Sequence, residues 1–284
     1  MTRASVFTDE ISPDFEEAVR TAAAAGVRYV DIRNTWGRSC AELNRDDWRK
    51  MADIMKRHDV RLGAVQSPFG KCEIAEEEYQ RHLAFLPNLI EQAHFFGTDV
   101  IRIFPFWQPD RSSTAMRPNL APMLPEIATK LRRATRLAEQ EGVYLALEPE
   151  HSTYSGSLSE IRAIIDAVGS PALRVAWDAS NGWFPDEPIV PDGYEQVRGL
   201  VVNVHVKDRA FPPDQERERR LPTLLGTGLV PWPEIIGRLK TDGYTGVYSI
   251  ETHFGAEGPY GWAKLKAATT WYMYALRELL EANG

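Results

Sequence analysis

The chain has 284 residues, which leaves room for two small domains or for one closed α/β barrel of about 250 residues. Forty acidic against 33 basic residues give a net charge of -7, and no basic concentration offsets it, so nucleic acid is not expected as a partner. Cys40 and Cys72 are too few for a disulfide framework or a zinc cluster and fit a reducing cytoplasm, while no signal peptide and no run of ~18 apolar residues points to export or a membrane.

The first β-rich run, Ser5–Glu10, precedes a helical pattern over Asp14–Ala25. That helix opens with Ser12-Pro13-Asp14-Phe15-Glu16, which supplies a cap, a first-turn proline and acidic side chains at the positive end of the helix dipole. Tyr29–Arg33 is followed by a helix over Asp46–His58, Arg61–Gln66 by one over Glu76–Phe96, and Val100–Phe104 by one over Pro122–Gln140. Tyr144–Glu148 leads to Leu158–Val168. Arg174–Asp178 is followed by the weakest connection, Gly182–Gly199, which has three prolines and only a short helical stretch near Tyr194. Val201–Val206 leads to Pro233–Thr241, and Gly246–Glu251 to Trp262–Glu281. Gly26, Gly97, Gly142 and Gly243 stand where helices need a left-handed C-terminal cap. The mixed-sign run Asp214 to Arg220, between prolines, reads as a solvated loop.

Eight β-then-α units with no composition break predict a single (β/α)8 TIM barrel as one domain over residues 1–284. An open doubly wound sheet is the alternative, but Glu10-Ile11-Ser12-Pro13-Asp14 carries no phosphate-binding glycine fingerprint after the first strand.

Barrel enzymes place their chemistry at the C-terminal strand ends. Four consecutive strands end on a metal-competent side chain: Glu148, Asp178, His205 and Glu251. Singly, each reads as a loop cap, a surface charge or a core histidine. Together at one rim, three carboxylates repel one another unless a cation neutralises them, so one divalent metal is expected on these four residues. Mn²⁺ is the first expectation, with Mg²⁺, Co²⁺ and Zn²⁺ also compatible with three oxygen donors and one imidazole.

The chain resembles the xylose isomerase-like barrels, in particular the bacterial sugar phosphate isomerase/epimerase family. The resemblance spans nearly the whole sequence. It rests on Phe7-Thr8-Asp9-Glu10-Ile11-Ser12, Ser67-Pro68-Phe69-Gly70-Lys71, Ile101-Arg102-Ile103-Phe104, Glu148-Pro149-Glu150, Asp178-Ala179-Ser180-Asn181, His205-Val206-Lys207-Asp208, Gly226-Thr227-Gly228 and Ser249-Ile250-Glu251-Thr252-His253. It implies the same four metal ligands and assigns Glu148 and Glu251 as the catalytic pair exchanging a substrate α-proton, through an enediolate that the metal stabilises. It also implies that homo-oligomers are common among relatives. Ketose 3-epimerases of this group carry a Glu and a His where this chain has Tyr154 and Asn181, which points away from a free-ketose 3-epimerase.

Further candidates for substrate contact are Glu150 and Lys207, each two residues beyond a strand-end ligand, with Arg102, His253, Asn181, Tyr154 and Trp107. A surface carboxylate explains Glu150 equally well, and a structural salt bridge explains Lys207 or Arg102. His151 is a possible acid/base, and Trp36, Trp107 and Trp183 a possible aromatic wall against a sugar ring. The Gly226-Thr227-Gly228 turn offers backbone N–H groups for an anion, or is simply a tight turn. The expected function is a metal-dependent isomerase or epimerase of a sugar, keto-sugar or sugar acid. The alternative is a lyase or dehydratase acting on an inosose or 3-keto sugar. A three-zinc DNA-repair barrel is disfavoured by only six histidines and the negative charge, and a non-catalytic sugar-binding or partner-binding barrel stays open.

Overall fold

The computed structural model of the protein describes residues 3–111, 119–181, 187–210, 221–258 and 260–283. Trp183 and the charged run from Asp214 to Arg220 lie outside the described residues. The fold is a (β/α)8 barrel. Its strands are β1 (Arg3–Phe7), β2 (Tyr29–Ile32), β3 (Arg61–Val65), β4 (Val100–Ile103), β5 (Tyr144–Leu147), β6 (Leu173–Asp178), β7 (Val201–Val206) and β8 (Val247–Ile250), and they close in chain order. The helices are α1 (Phe15–Ala24), α2 (Arg45–Arg57), α3 (Glu76–Phe96), α4 (Leu120–Glu141), α5 (Leu158–Val168), the single turn α6 (Tyr194–Val197), α7 (Trp232–Thr241) and α8 (Gly261–Ala282). No helix among the described residues is long and apolar enough to cross a membrane.

Local chemistry sets the helix boundaries. Asp14 accepts from the Glu17 N–H at the start of α1, while Asn44 with Asp47 and Ser157 with Glu160 form reciprocal capping boxes on α2 and α5. Gly97 and Gly142 cap α3 and α4 in the left-handed conformation.

Residues 1–63 with 204–284 form one compact unit and residues 64–203 another, and both divisions fall inside strands, β3 and β7. In the first unit β1 pairs in parallel with β2 (Val6 opposite Val30) and with β8 (Val6 opposite Ile250). In the second, β3 to β6 pair in order, with Val65 opposite Ile101, Ile103 opposite Leu147, and Leu147 opposite Val175. Ala64, Val100, Ala146 and Ala176 cluster as buried residues, with Val202 against them. Because side chains alternate along a strand, the residues two positions on from the last three, Arg102, Glu148 and Asp178, leave on the same face. An apolar layer thus carries the charged layer above it.

The first strand is shorter than its sequence suggests. It stops at Phe7, and Thr8–Glu10 turn into a 3-10 helix in which the Thr8 carbonyl accepts from Ile11 and Ser12 at 3.1 and 3.2 Å. This turn buries the Glu10 side chain instead of extending it along the barrel axis.

Candidate metal centre

In the unit formed by residues 64–203, Glu148 and Asp178 stand at the ends of β5 and β6. Glu148 continues the ladder through its N–H to the Ile103 carbonyl at 3.1 Å. Its Oε2 faces the Arg102 guanidinium at 3.1 Å, and its Oε1 accepts from Asn181 Nδ2 at 3.1 Å. Arg102 also donates to the main-chain oxygens of Gln66 and Ser67 at 3.1 and 3.4 Å, so its position is set from β3. Asp178 Oδ1 accepts the N–H groups of Ser180 and Asn181, both at 2.9 Å. Asn181 therefore turns back on its own loop and steadies both carboxylates.

In the other unit His205 is fully buried on β7, edge-on to the Phe7 ring at 5.2 Å. Glu251 is surrounded by cations. Its Oε1 takes Arg33 Nη1 at 2.6 Å and His253 Nε2 at 2.9 Å, while its Oε2 lies 3.1 Å from Lys207 Nζ and 3.5 Å from His205 Nδ1. Burial alone pushes the Glu251 carboxyl up, but Lys207, His253 and His205 outweigh it and hold the group well below the usual glutamate range. Arg33 has three carboxylate partners, because it also meets Asp9 Oδ2 at 2.8 Å and Glu10 Oε1 at 2.9 Å. Burial opposes charge on Arg33, and Asp9, Glu251 and Glu10 raise its pKa in spite of that.

Glu148, Asp178, His205 and Glu251 are all buried, and as a group of acidic and histidine side chains they could hold a metal ion. The donor set fits a divalent cation, which three carboxylates and one imidazole would hold in their deprotonated forms. The protein supplies part of the neutralisation itself, with Arg102 facing Glu148 in one unit and Arg33 and Lys207 facing Glu251 in the other.

A family model described as a xylose isomerase-like TIM barrel matches residues 19–270. The chain belongs to this family. Solved structures with the same fold include a xylose isomerase-like TIM barrel protein of Mycobacterium smegmatis in complex with magnesium, at 17% identity and a TM-score of 0.76, covering 100% of this chain and 98% of that one. The probable 3-DHS dehydratase of Bacillus anthracis aligns at 19% identity and a TM-score of 0.71, covering 97% and 99%. The 3-keto-D-glucoside 4-epimerase of E. coli aligns at 17% identity and 0.70, covering 98% of each chain.

The remaining sequence candidates on this xylose isomerase-like barrel have partners of their own. Glu150 pairs with Lys71 Nζ at 3.3 Å and with the adjacent His151 Nδ1 at 3.0 Å. Tyr154 is buried, donates its N–H to the Phe106 carbonyl, and is held protonated by burial, which pushes its phenol up. Trp107 donates its N–H to the Cys72 carbonyl and stacks under Arg111 at 4.2 Å, whereas Trp36 packs edge-on to Phe15 and carries Lys50 at 4.3 Å over its face. Arg33, Asp9 and Glu10 are the residues that strand-by-strand reading passes over.

Those three also line a cavity of about 440 Å³ with Arg209, His253 and Trp262. It combines carboxylate acceptors, cationic donors and an indole face.

The glycine turn after β7 binds an anion, but the anion belongs to the chain. Asp208 Oδ2 accepts from Gly226 and Gly228, both at 3.0 Å, and its Oδ1 from Arg209 and Val230 at 2.9 and 3.2 Å. A Cβ on Gly228 would lie 2.1 Å from Asp208 Oδ1, so glycine is required for this approach. Asp208→Asn puts an amide where carboxylate oxygens now accept four N–H groups, three part-buried and that of Val230 buried. We expect a loss of about 2 kcal/mol or more in urea unfolding. Stability within 0.5 kcal/mol, the ordinary range for a surface change, would refute the clamp.

Proposed function

We propose that this barrel is a divalent-metal-dependent isomerase or epimerase acting on a keto-sugar or related sugar acid, with residues 1–284 forming one domain. The observation that carries this reading is the pair of buried glutamates, Glu148 and Glu251, each clamped by an arginine at 3.1 or 2.6 Å within the four-residue ligand group. Glu148, Asp178, His205 and Glu251 are the residues that would hold the ion, Mn²⁺ first and Mg²⁺, Co²⁺ or Zn²⁺ after it. The ion supplies Lewis acidity toward a carbonyl and its neighbouring hydroxyl.

Glu251, held ionised, is suited to take a proton from the carbon beside a carbonyl, and Glu148 to return one from the other side. Arg102 and Asn181 orient Glu148, while Lys207 and His253 orient Glu251. The cavity lined by Asp9, Arg209 and Trp262 has the volume of a small-ligand site and suits a polyhydroxylated chain, whose hydroxyls both donate and accept.

Loss of a β-hydroxyl is the second reading. It is favoured by Lys207, a buried ammonium 3.1 Å from Glu251 that can protonate a leaving oxygen. An epimerase and a probable dehydratase both occur among the structural neighbours, so the fold accommodates either outcome.

Metal analysis of the purified protein is expected to give one divalent ion per chain. Incubating the metal-loaded protein in D2O with a panel of keto-sugars is expected to place deuterium in the recovered sugar without loss of water. Dehydrated product from an inosose or 3-keto sugar would replace the isomerase reading by the lyase. Sugar binding without exchange or elimination across the panel would defeat both.

A further inference from the structure

We propose that Arg33 is a positioning residue for Glu251: by engaging Oε1, it sets Oε2 as the oxygen turned toward His205 and Lys207, the side from which a cation would be held. The inference rests on the metal reading above and goes beyond it in naming what sets the ligand's orientation. The two oxygens of Glu251 have different surroundings. Oε1 meets Arg33 at 2.6 Å and His253 at 2.9 Å, whereas Oε2 faces His205 at 3.5 Å and Lys207 at 3.1 Å.

Arg33 can impose this because it is itself held through each of its three nitrogens. Nε is on Asp9 at 2.8 Å, Nη2 on Glu10 at 2.9 Å, and the guanidinium lies 5.0 Å from the centre of the Phe7 ring, whose edge-on contact is His205. Glu10 is fastened in turn by the Thr252 hydroxyl at 2.8 Å and the His253 N–H at 3.1 Å, and its carbonyl by the Thr269 hydroxyl at 2.8 Å. Loops after β1, β2 and β8, together with α8, thus converge on one planar fork. Only a guanidinium has the geometry for this, since a lysine ammonium carries the charge at a single point.

That difference gives the test. Arg33→Lys keeps the cation and removes the fork. Titration of the metal-stripped protein with Mn²⁺ by calorimetry is expected to show affinity about tenfold weaker or more, the usual loss when a group orienting a metal ligand is changed. The EPR spectrum of bound Mn²⁺ is expected to change with it, which a role in stability alone would not produce. Asp9→Asn touches Arg33 and Asn34 but not Glu251, and should weaken Mn²⁺ binding in the same direction by a smaller factor.

Wild-type affinity and an unchanged spectrum in both variants would overturn the proposal while leaving the metal site intact. If Arg33→Lys does not fold, Asp9→Asn decides by the same two measurements. If the wild-type chain binds none of Mn²⁺, Mg²⁺, Co²⁺ and Zn²⁺, the metal reading falls and this inference falls with it.

Discussion

Glu251→Gln is expected to lower turnover by about 10³-fold or more with the fold retained. The substitution is nearly isosteric, so an amide oxygen can still accept from Arg33 and His253, the contacts now made by Oε1. What it removes is the negative charge, and with it both the proton acceptor and one anionic metal ligand. General base chemistry typically contributes 10² to 10⁴ in rate, and 10³ corresponds to about 4 kcal/mol of barrier. The measurements are solvent-deuterium exchange, metal content and circular dichroism on the same sample. Full exchange activity in the variant would exclude Glu251 from proton transfer.

The acid side supplies a second check. Because the Glu251 pKa is depressed on folding, its contribution to stability is complete above the unfolded carboxyl value of ~4.3. It is lost as pH falls through the lower folded value. The Gln variant lacks this titrating group, so its loss of stability relative to wild type should shrink as the pH is lowered through that range.

Much of the barrel was legible because its periodicities are strong. Glu76–Phe96, Leu158–Val168 and Val201–Val206 are observed with the limits their patterns predict. The first strand misleads because Thr8, Asp9 and Glu10 continue the run in sequence while their backbone bonds locally in a tighter turn. The four ligand candidates were legible as strand-end residues, since a charge ending an apolar run has little to do in a core. Arg33 ends such a run too, but its importance lies in partners 23, 24 and 218 positions away, separations that no local pattern encodes. The glycine turn after β7 was legible as an anion cradle. Its anion was not, because Asp208 reaches it from 18 and 20 residues upstream across a hairpin.

Arg102→Met is expected to have the largest effect on stability. Arg102 is 4% exposed and Glu148 is 2% exposed, and their 3.1 Å ion pair has almost no solvent screening. Exposed pairs contribute little, but removing one partner of a buried pair strands the other charge and costs about 3–5 kcal/mol. The main-chain oxygens of Gln66 and Ser67 would lose their donor in the same step. In a protein of this size that corresponds to a melting temperature lower by roughly 10 °C. Combining Arg102→Met with Glu148→Gln should recover part of the loss, because the amide leaves no uncompensated charge, whereas independent sites would add. Saturating Mn²⁺ should raise the melting temperature of Arg102→Met more than that of wild type, since a bound cation takes over the neutralisation of Glu148. A single variant within 1 kcal/mol of wild type would mean that the buried pair contributes little to the stability of the fold. Equal stabilisation of both proteins by metal would separate Arg102 from the cation site.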